Sequence, residues 1–156
     1  MNYLGEYMEK DLIDIIKLSR LINCSYNEVI KLVATQHKLS WIEADMLLIL
    51  SDNKDIINAK DIVNFSKVSK AYVSKSINLL IDKKLISMKV DEKDKRKQTI
   101  IINDETYYII KELKKYQEIY LSNLIKNINK NDVDKFIELF KLLGNNIIDR
   151  KEDKKC

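Results

Sequence analysis

Not one proline interrupts this chain of 156 residues, and it holds only two glycines, Gly5 and Gly144. Folds rich in sheet need many tight turns with positive φ, which glycine adopts at least cost. A chain almost without such residues is expected to run in long helices joined by few turns. Its length allows one domain with a substantial core, residues 1–156, and hardly two. The hydrophobic share of 46% beside a charged share of 33% fits a folded chain and not a disordered one. The longest unbroken apolar run, Met46 to Leu50, is far short of the roughly 20 residues a membrane helix requires. Acidic residues stand in the opening MNYLGEYMEKD, where a signal peptide would be apolar, so the expected location is the cytoplasm.

Catalytic chemistry has little to work with. Two cysteines, Cys24 and Cys156, make neither a disulfide framework nor a metal site, and the single His37 supplies no ligand cluster. The sequence holds no glycine-rich phosphate loop and no set of nucleophile, histidine and acid. The expectation is a protein that is not an enzyme and needs no cofactor. Charge points to a different partner. Between Lys54 and Gln98 there are twelve Lys/Arg against six Asp/Glu, while the rest of the chain carries sixteen against eighteen. A basic block inside a folded domain suits a polyanion, although a lysine-rich solvated surface has the same composition.

Periodicity divides the chain into elements. Apolar residues at Leu12, Ile15, Ile16, Ile22, Val29, Ile30 and Val33 have helical spacing, so one amphipathic helix is predicted from about Glu6 to Gln36. Ser40-Trp41-Ile42-Glu43 reads as a capping box that opens a helix through Leu50. Ile56-Ile57 is a candidate minimal strand. Asn58 reads as the cap of a brief helix carrying Ile62, Val63 and Phe65. After the turn Ser66-Lys67-Val68, Ser69 is placed to cap a helix from Lys70 to about Lys83. Two short helices joined by a tight turn make a helix-turn-helix.

Beyond that helix, Ile86 to Val90 and Gln98 to Ile102 show the alternation of half-buried strands. Seven consecutive charged residues, Asp91 to Lys97, lie between them. A hairpin with a charged tip that follows a helix-turn-helix is a wing. Asn103 is expected to cap a helix of some 25 residues reaching Ile128, and Asn131 to cap a last helix with Val133, Phe136, Ile137, Phe140, Leu143 and Ile147 along one side.

In KAYVSKSINLLIDKK, Val73, Ile77, Leu80 and Ile81 share a face that suits the core. The opposite face presents Lys70, Ala71, Ser74, Lys75 and Asn78, a narrow polar and basic set that fits a major groove. Lys75 suits guanine acceptors or phosphate, and Asn78 suits bidentate bonding to adenine. Lys67 and Ser69 sit at the helix start, where amides and positive charge favour a phosphate. In the wing, Arg96 with Lys95 and Lys97 suits a narrow minor groove. Asp94, itself repelled by phosphate, is expected to orient Arg96.

The run VSKAYVSKSINLLIDKKLISMKVDEKDKRKQTIIIN resembles the recognition helix, strand and wing of the multiple-antibiotic-resistance regulator (MarR) family, and Asp94-Lys95-Arg96 matches that family's Asp-x-Arg wing motif. The likeness in order of elements spans nearly the whole chain, and its sequence-specific part about residues 39–103. It implies a mainly α fold with a small β-hairpin wing, a winged helix-turn-helix lobe at 39–103 and helical dimerisation segments at 6–36 and 104–149. It also implies a homodimer with two lobes on one double-stranded palindromic operator, commonly a repressor released by a small molecule or by oxidation. The sequence departs from the family at Lys84, where glycine is usual, so a non-glycine residue is expected in the αL region. It departs again at Asn103-Asp104-Glu105, which replaces the usual Leu-Thr and following Gly.

Long apolar stripes on the first and last helices argue for a dimer independently, although a monomer with a helical cap satisfies the same pattern. His37, Trp41, Tyr107 and Tyr108 are candidate effector-pocket residues, with core packing as the competing role. Cys24 is a candidate redox residue with only Arg20 as a near basic neighbour, and Cys156 lies in the polar tail. Two other readings stay open: a winged-helix module that binds protein or RNA, and an activator like the staphylococcal accessory regulators.

Overall fold

The computed structural model describes residues 9–53, 58–66, 69–92, 94 and 98–152, with side chains over 13–53, 58–64, 69–92, 94 and 98–147. The candidate strand at Ile56-Ile57 lies outside the described residues. The chain falls into two compact units, Met1–Tyr120 and Leu121–Cys156.

The first unit begins with α1 (Glu9–Gln36), whose 28 residues extend about 42 Å. Only its last third enters the core: Ile30, Val33 and Ala34 are buried, whereas Ile13, Ile15, Ile16, Leu18 and Leu21 are exposed. The helix ends in a Schellman turn. Lys38 takes φ 57°, the Lys38 amide donates to Thr35 and the Leu39 amide donates to Ala34, at 3.0 and 2.9 Å. The capping box at Ser40 and Glu43 then starts α2 (Trp41–Asp52), as its residue types predict. Ala44, Met46, Leu47, Leu48 and Leu50 are all buried, so α2 is the central rod of the core.

α4 (Lys70–Asp82) packs on α2, and α3 (Ala59–Ser66) and β1 (Ile86–Val90) pack on α4, with β2 (Gln98–Ile102) completing the hairpin. Asn58 does cap α3: its side-chain oxygen accepts from the Asp61 amide at 3.0 Å, and Asp61 accepts from the Asn58 amide at 3.1 Å. The strands pair antiparallel with Ile86 opposite Ile102, Met88 opposite Ile100 and Val90 opposite Gln98. Burial fades along that face, from Ile86 at the base to exposed Val90, so the hairpin is anchored at one end and projects at the other.

α4 ends in a second Schellman turn. Lys84 occupies αL at φ 58°, as expected where the family has glycine, with the Lys84 amide bonded to Ile81 and the Leu85 amide to Leu80. Asn103, expected to cap the next helix, has another use. Its side-chain Nδ2 donates to the Lys84 carbonyl at 2.7 Å, its side-chain oxygen accepts from Ser87 Oγ at 2.9 Å, and no side-chain cap bond forms. Its side chain thus bonds the Lys84 turn and the base of the hairpin instead of the helix start. Thr106, fully buried in a 3₁₀ turn (Asp104–Thr106), donates to the Leu85 carbonyl at 2.6 Å.

The following helix, α5 (Tyr107–Leu124), has 18 residues and is shorter than the apolar pattern suggests. Asn127 at φ 68° turns the chain, and Ile128 lies beyond the helix. α5 binds α1 through polar contacts: Gln117 donates to the Tyr26 hydroxyl at 2.9 Å, and the Tyr120 hydroxyl donates to the Ile22 carbonyl at 2.9 Å.

The second unit holds α6 (Lys130–Glu152). Its cap is Asn129, whose side-chain oxygen accepts from the Asp132 amide at 3.0 Å, and not Asn131 as expected. Asn-x-x-Asp occurs at both 129 and 131, so the sequence signature was degenerate there. Phe136, Ile137, Leu139, Phe140, Leu143 and Ile147 are exposed along α6, with the Phe136 and Phe140 rings stacked at 5.6 Å.

Candidate nucleic-acid interface

The face of α4 that meets the core holds Val73, Ile77 and Leu80, all buried, with Ile81 partly so. Because helical periodicity leaves the opposite side free, Lys70, Ala71, Ser74, Lys75 and Asn78 are all exposed together on one surface. Ser69 stands at the N-cap, where its Oγ accepts from the Tyr72 amide at 3.2 Å. Ser76 is a residue the polar pattern does not flag. It is buried, and its hydroxyl is satisfied by the Tyr72 carbonyl one turn back, at 2.9 Å.

Beside this surface, α3, α4 and the hairpin enclose an open concavity of about 540 Å³. Its floor is apolar, including Val63, Ile77 and Met88, and Lys60, Lys70, Ser74, Asn78 and Gln98 stand around it. Gln98 was not singled out by sequence, since a strand-edge glutamine carries no distinctive pattern.

In the wing, the Asp94 amide donates to Asp91 Oδ1 at 2.8 Å. Lys67, Lys95, Arg96 and Lys97, and with them the expected pairing of Asp94 and Arg96, lie outside the described residues.

At the other end of the lobe, the four candidate effector residues are partly brought together. His37 Nε2 lies 2.7 Å from Glu112 Oε2, and its ring meets Tyr108 edge-on at 5.5 Å. Tyr107 and Tyr108 line a shallow concavity along α5 with Lys111, Glu112, Lys115 and Glu118, and neither His37 nor Trp41 is part of that lining. Cys24 is exposed on α1, and Cys156 lies outside the described residues.

The charge network that holds these elements was not legible in sequence. Glu43, 2% exposed, accepts from the Ser40 amide and hydroxyl and pairs with Lys83. Burial pushes its carboxyl up, but the Lys83 ammonium and the Ser40 donors together outweigh that and hold it below the usual glutamate range. Two residues on, half-buried Asp45 is pushed up by burial, and its charge raises Tyr72, whose phenol burial has already raised. Burial and then Asp45 likewise raise Tyr26.

Residues 37–97 match the family model described as MarR family. No curated protein matches the chain. Among solved structures, a MarR transcriptional regulator from Methanosarcina mazei Go1 superposes with a TM-score of 0.76 at 16% identity, covering 86% of this chain and 96% of that one. A MarR family transcriptional regulator from Listeria monocytogenes, complexed with a 26mer DNA, gives 0.76 at 17% identity over 88% and 89%. BpsR from Bordetella bronchiseptica, whose DNA binding is regulated by 6-hydroxynicotinic acid, gives 0.66 at 16% identity over 82% and 91%. Its central segment is thus similar to the MarR family, and the chain shares the fold of these regulators over most of its length.

Proposed function

We propose that this protein is a sequence-specific, double-stranded-DNA-binding transcription regulator that acts in the cytoplasm as a homodimer and represses until a small molecule or an oxidant releases it. The observation that carries the reading is the α4 surface: five small, polar or basic side chains exposed on one side of a Ser69-capped helix, next to a hairpin with a charged tip. α4 enters the major groove. There Asn78 bonds a base edge, Lys75 a guanine or a phosphate, and Ser74 and Ala71 allow close approach. Lys67, Ser69 and Lys70 take phosphates at the helix start. Arg96 occupies the adjacent minor groove, oriented by Asp94 and flanked by Lys95 and Lys97.

The exposed apolar rows on the first two-thirds of α1 and along α6 support the homodimer, since patches of this kind are unfavourable in water and a second copy covers them. A dimer then reads two half-sites with centres about 34–36 Å apart or a multiple of that. His37, Tyr108 and Tyr107, with Trp41 near the start of α2, are the proposed effector contacts. Cys24, exposed on α1, is the proposed redox contact. Among the described residues, no helix is long and apolar enough to cross a membrane.

Fluorescence anisotropy with the protein's own upstream DNA, against scrambled duplex across a salt series, tests the reading. The expected result is a preference of at least ~10³-fold with a steep negative salt slope. Arg96→Ala and Asn78→Ala should each weaken the specific complex more than the scrambled one. Equal binding to both duplexes, repeated with sites selected from random sequence, refutes sequence-specific recognition and favours a protein or RNA partner.

A further inference from the structure

Lys83 closes the recognition helix, and its ammonium makes three contacts. Nζ lies 2.8 Å from the Lys38 carbonyl, 2.7 Å from Glu43 Oε1 and 2.9 Å from Glu43 Oε2. Two of these are hydrogen bonds, to the Lys38 carbonyl and to Glu43 Oε2, and the third is an ion-pair contact to Oε1, which has no hydrogen-bond partner. The three contacted oxygens belong to two other places in the fold. Lys38 is the αL residue that ends α1, and Glu43 lies in the first turn of α2, where it also holds the Ser40 amide and hydroxyl. One cation therefore joins the end of α1, the start of α2 and the end of α4.

Packing alone does not call for a charged pair here. A buried ion pair is commonly no more stabilising than apolar side chains of similar volume, because desolvation offsets the attraction. What it supplies is direction: two hydrogen bonds and one ion-pair contact are met together in this arrangement. The joint also lies where leverage is greatest, between the helix whose exposed apolar row faces a second copy and the helix that reads DNA. Moving a half-site by one base pair displaces it by about 3.4 Å and rotates it by roughly 35° around the duplex axis. A dimer that rejects such a shift needs a stiff α1–α4 angle.

We infer that Lys83 and Glu43 are positioning residues: they fix α4 relative to α1 and thereby set the half-site separation that the dimer accepts. The inference rests on the DNA-binding reading above and adds to it the element that measures spacing.

The test compares native protein with Lys83→Arg and with the double variant Glu43→Met/Lys83→Met, in which an apolar pair of similar size replaces the ion pair. Urea midpoints are matched first, so that a loss of fold is not mistaken for a loss of position. Each protein is titrated with operators whose half-site separation is native or changed by one base pair either way. The native protein should discriminate by about 10-fold or more, the double variant by less than about 3-fold, and Lys83→Arg should stay near native. Undiminished discrimination by a folded double variant overturns the inference.

A second measurement needs no DNA. With Cys156→Ser, spin labels at exposed Cys24 on α1 and at Ser74→Cys on α4, in labelled chains diluted into unlabelled protein, report the distance between the two helices within one chain. The distribution should be narrow with the native pair and broadened or shifted in the double variant. If native protein binds no duplex at any spacing, the DNA reading fails. The distance distribution then still decides whether the pair positions α4, and an unchanged distribution overturns the inference.

Discussion

Replacing Glu43 by glutamine removes one charge from the only carboxylate described as buried, and the structure sets the size of the effect. Breaking a buried ion pair by deleting one partner typically costs about 3–5 kcal/mol when the survivor stays in the interior. Here the survivor is Lys83, whose side chain is 38% exposed and which keeps the Lys38 carbonyl at 2.8 Å. The orphaned ammonium can therefore reach water, and glutamine still offers Ser40 an acceptor. The expected loss is about 2 kcal/mol at neutral pH, or some 4–8 °C in Tm for a chain of this size. Protein concentration must be held constant, since dimerisation contributes to apparent stability.

The pH dependence is the sharper part of this prediction. The folded Glu43 carboxyl lies below its ordinary range, so the pair contributes fully above the unfolded value of about 4.3 and is lost as pH falls through the lower folded value. The gap between native and variant should be constant from pH 7 to about 5 and close below about 4. Urea melts at a series of pH values measure it directly. A gap under about 0.5 kcal/mol at pH 7, or one that persists undiminished to pH 3, refutes the account of the joint.

Three further outcomes follow from the same geometry. Asp45→Asn should stabilise the protein at neutral pH, because burial raises the native carboxyl. The gain should be complete above the folded value, shrink as pH falls and vanish below the unfolded value of about 3.9; thermal melts at pH 7 and pH 3 that show no such difference count against it. Lys84→Val should cost about 1–2 kcal/mol, because a β-branched residue is forced into αL, whereas Lys84→Gly should be neutral or stabilising. Urea midpoints that rank the two variants the other way would place the turn elsewhere. Thr106→Val should cost only about 1 kcal/mol, since the Leu85 carbonyl keeps the Asn103 amide at 3.0 Å when the Thr106 hydroxyl goes. A loss above about 3 kcal/mol in the same melts means that carbonyl has been left bare.

What the sequence discloses and what it hides divide along physical lines. The α4 face and the two strands were readable because each is a local periodic pattern: Val73, Ile77 and Leu80 point inward at helical spacing, and Ile86, Met88 and Ile100 at strand spacing. The caps at Ser40, Asn58 and Ser69 were readable because side chain and amide partner lie three residues apart. The end of α5 was harder: Asn127 enters αL without glycine, so the usual marker is missing, and the apolar residues after Leu124 extend the pattern of α5 past its real stop. Asn103 looked like a cap because its partners, Lys84 and Ser87, are remote in sequence. The same holds for Glu43 and Lys83: a carboxylate read as half of a capping box also serves a lysine forty residues away, and only the packed lobe brings them together.

The most direct test of the central claim is selection of binding sites by the native protein from a pool of random duplexes. The account predicts enrichment of one palindromic sequence whose half-site centres lie about one helical turn apart, or a multiple of it, with Asn78→Ala relaxing one defined position in each half-site. A pool that stays random through repeated rounds, or that yields an unpaired motif bound equally well by Asn78→Ala, would contradict a dimer that reads DNA through α4.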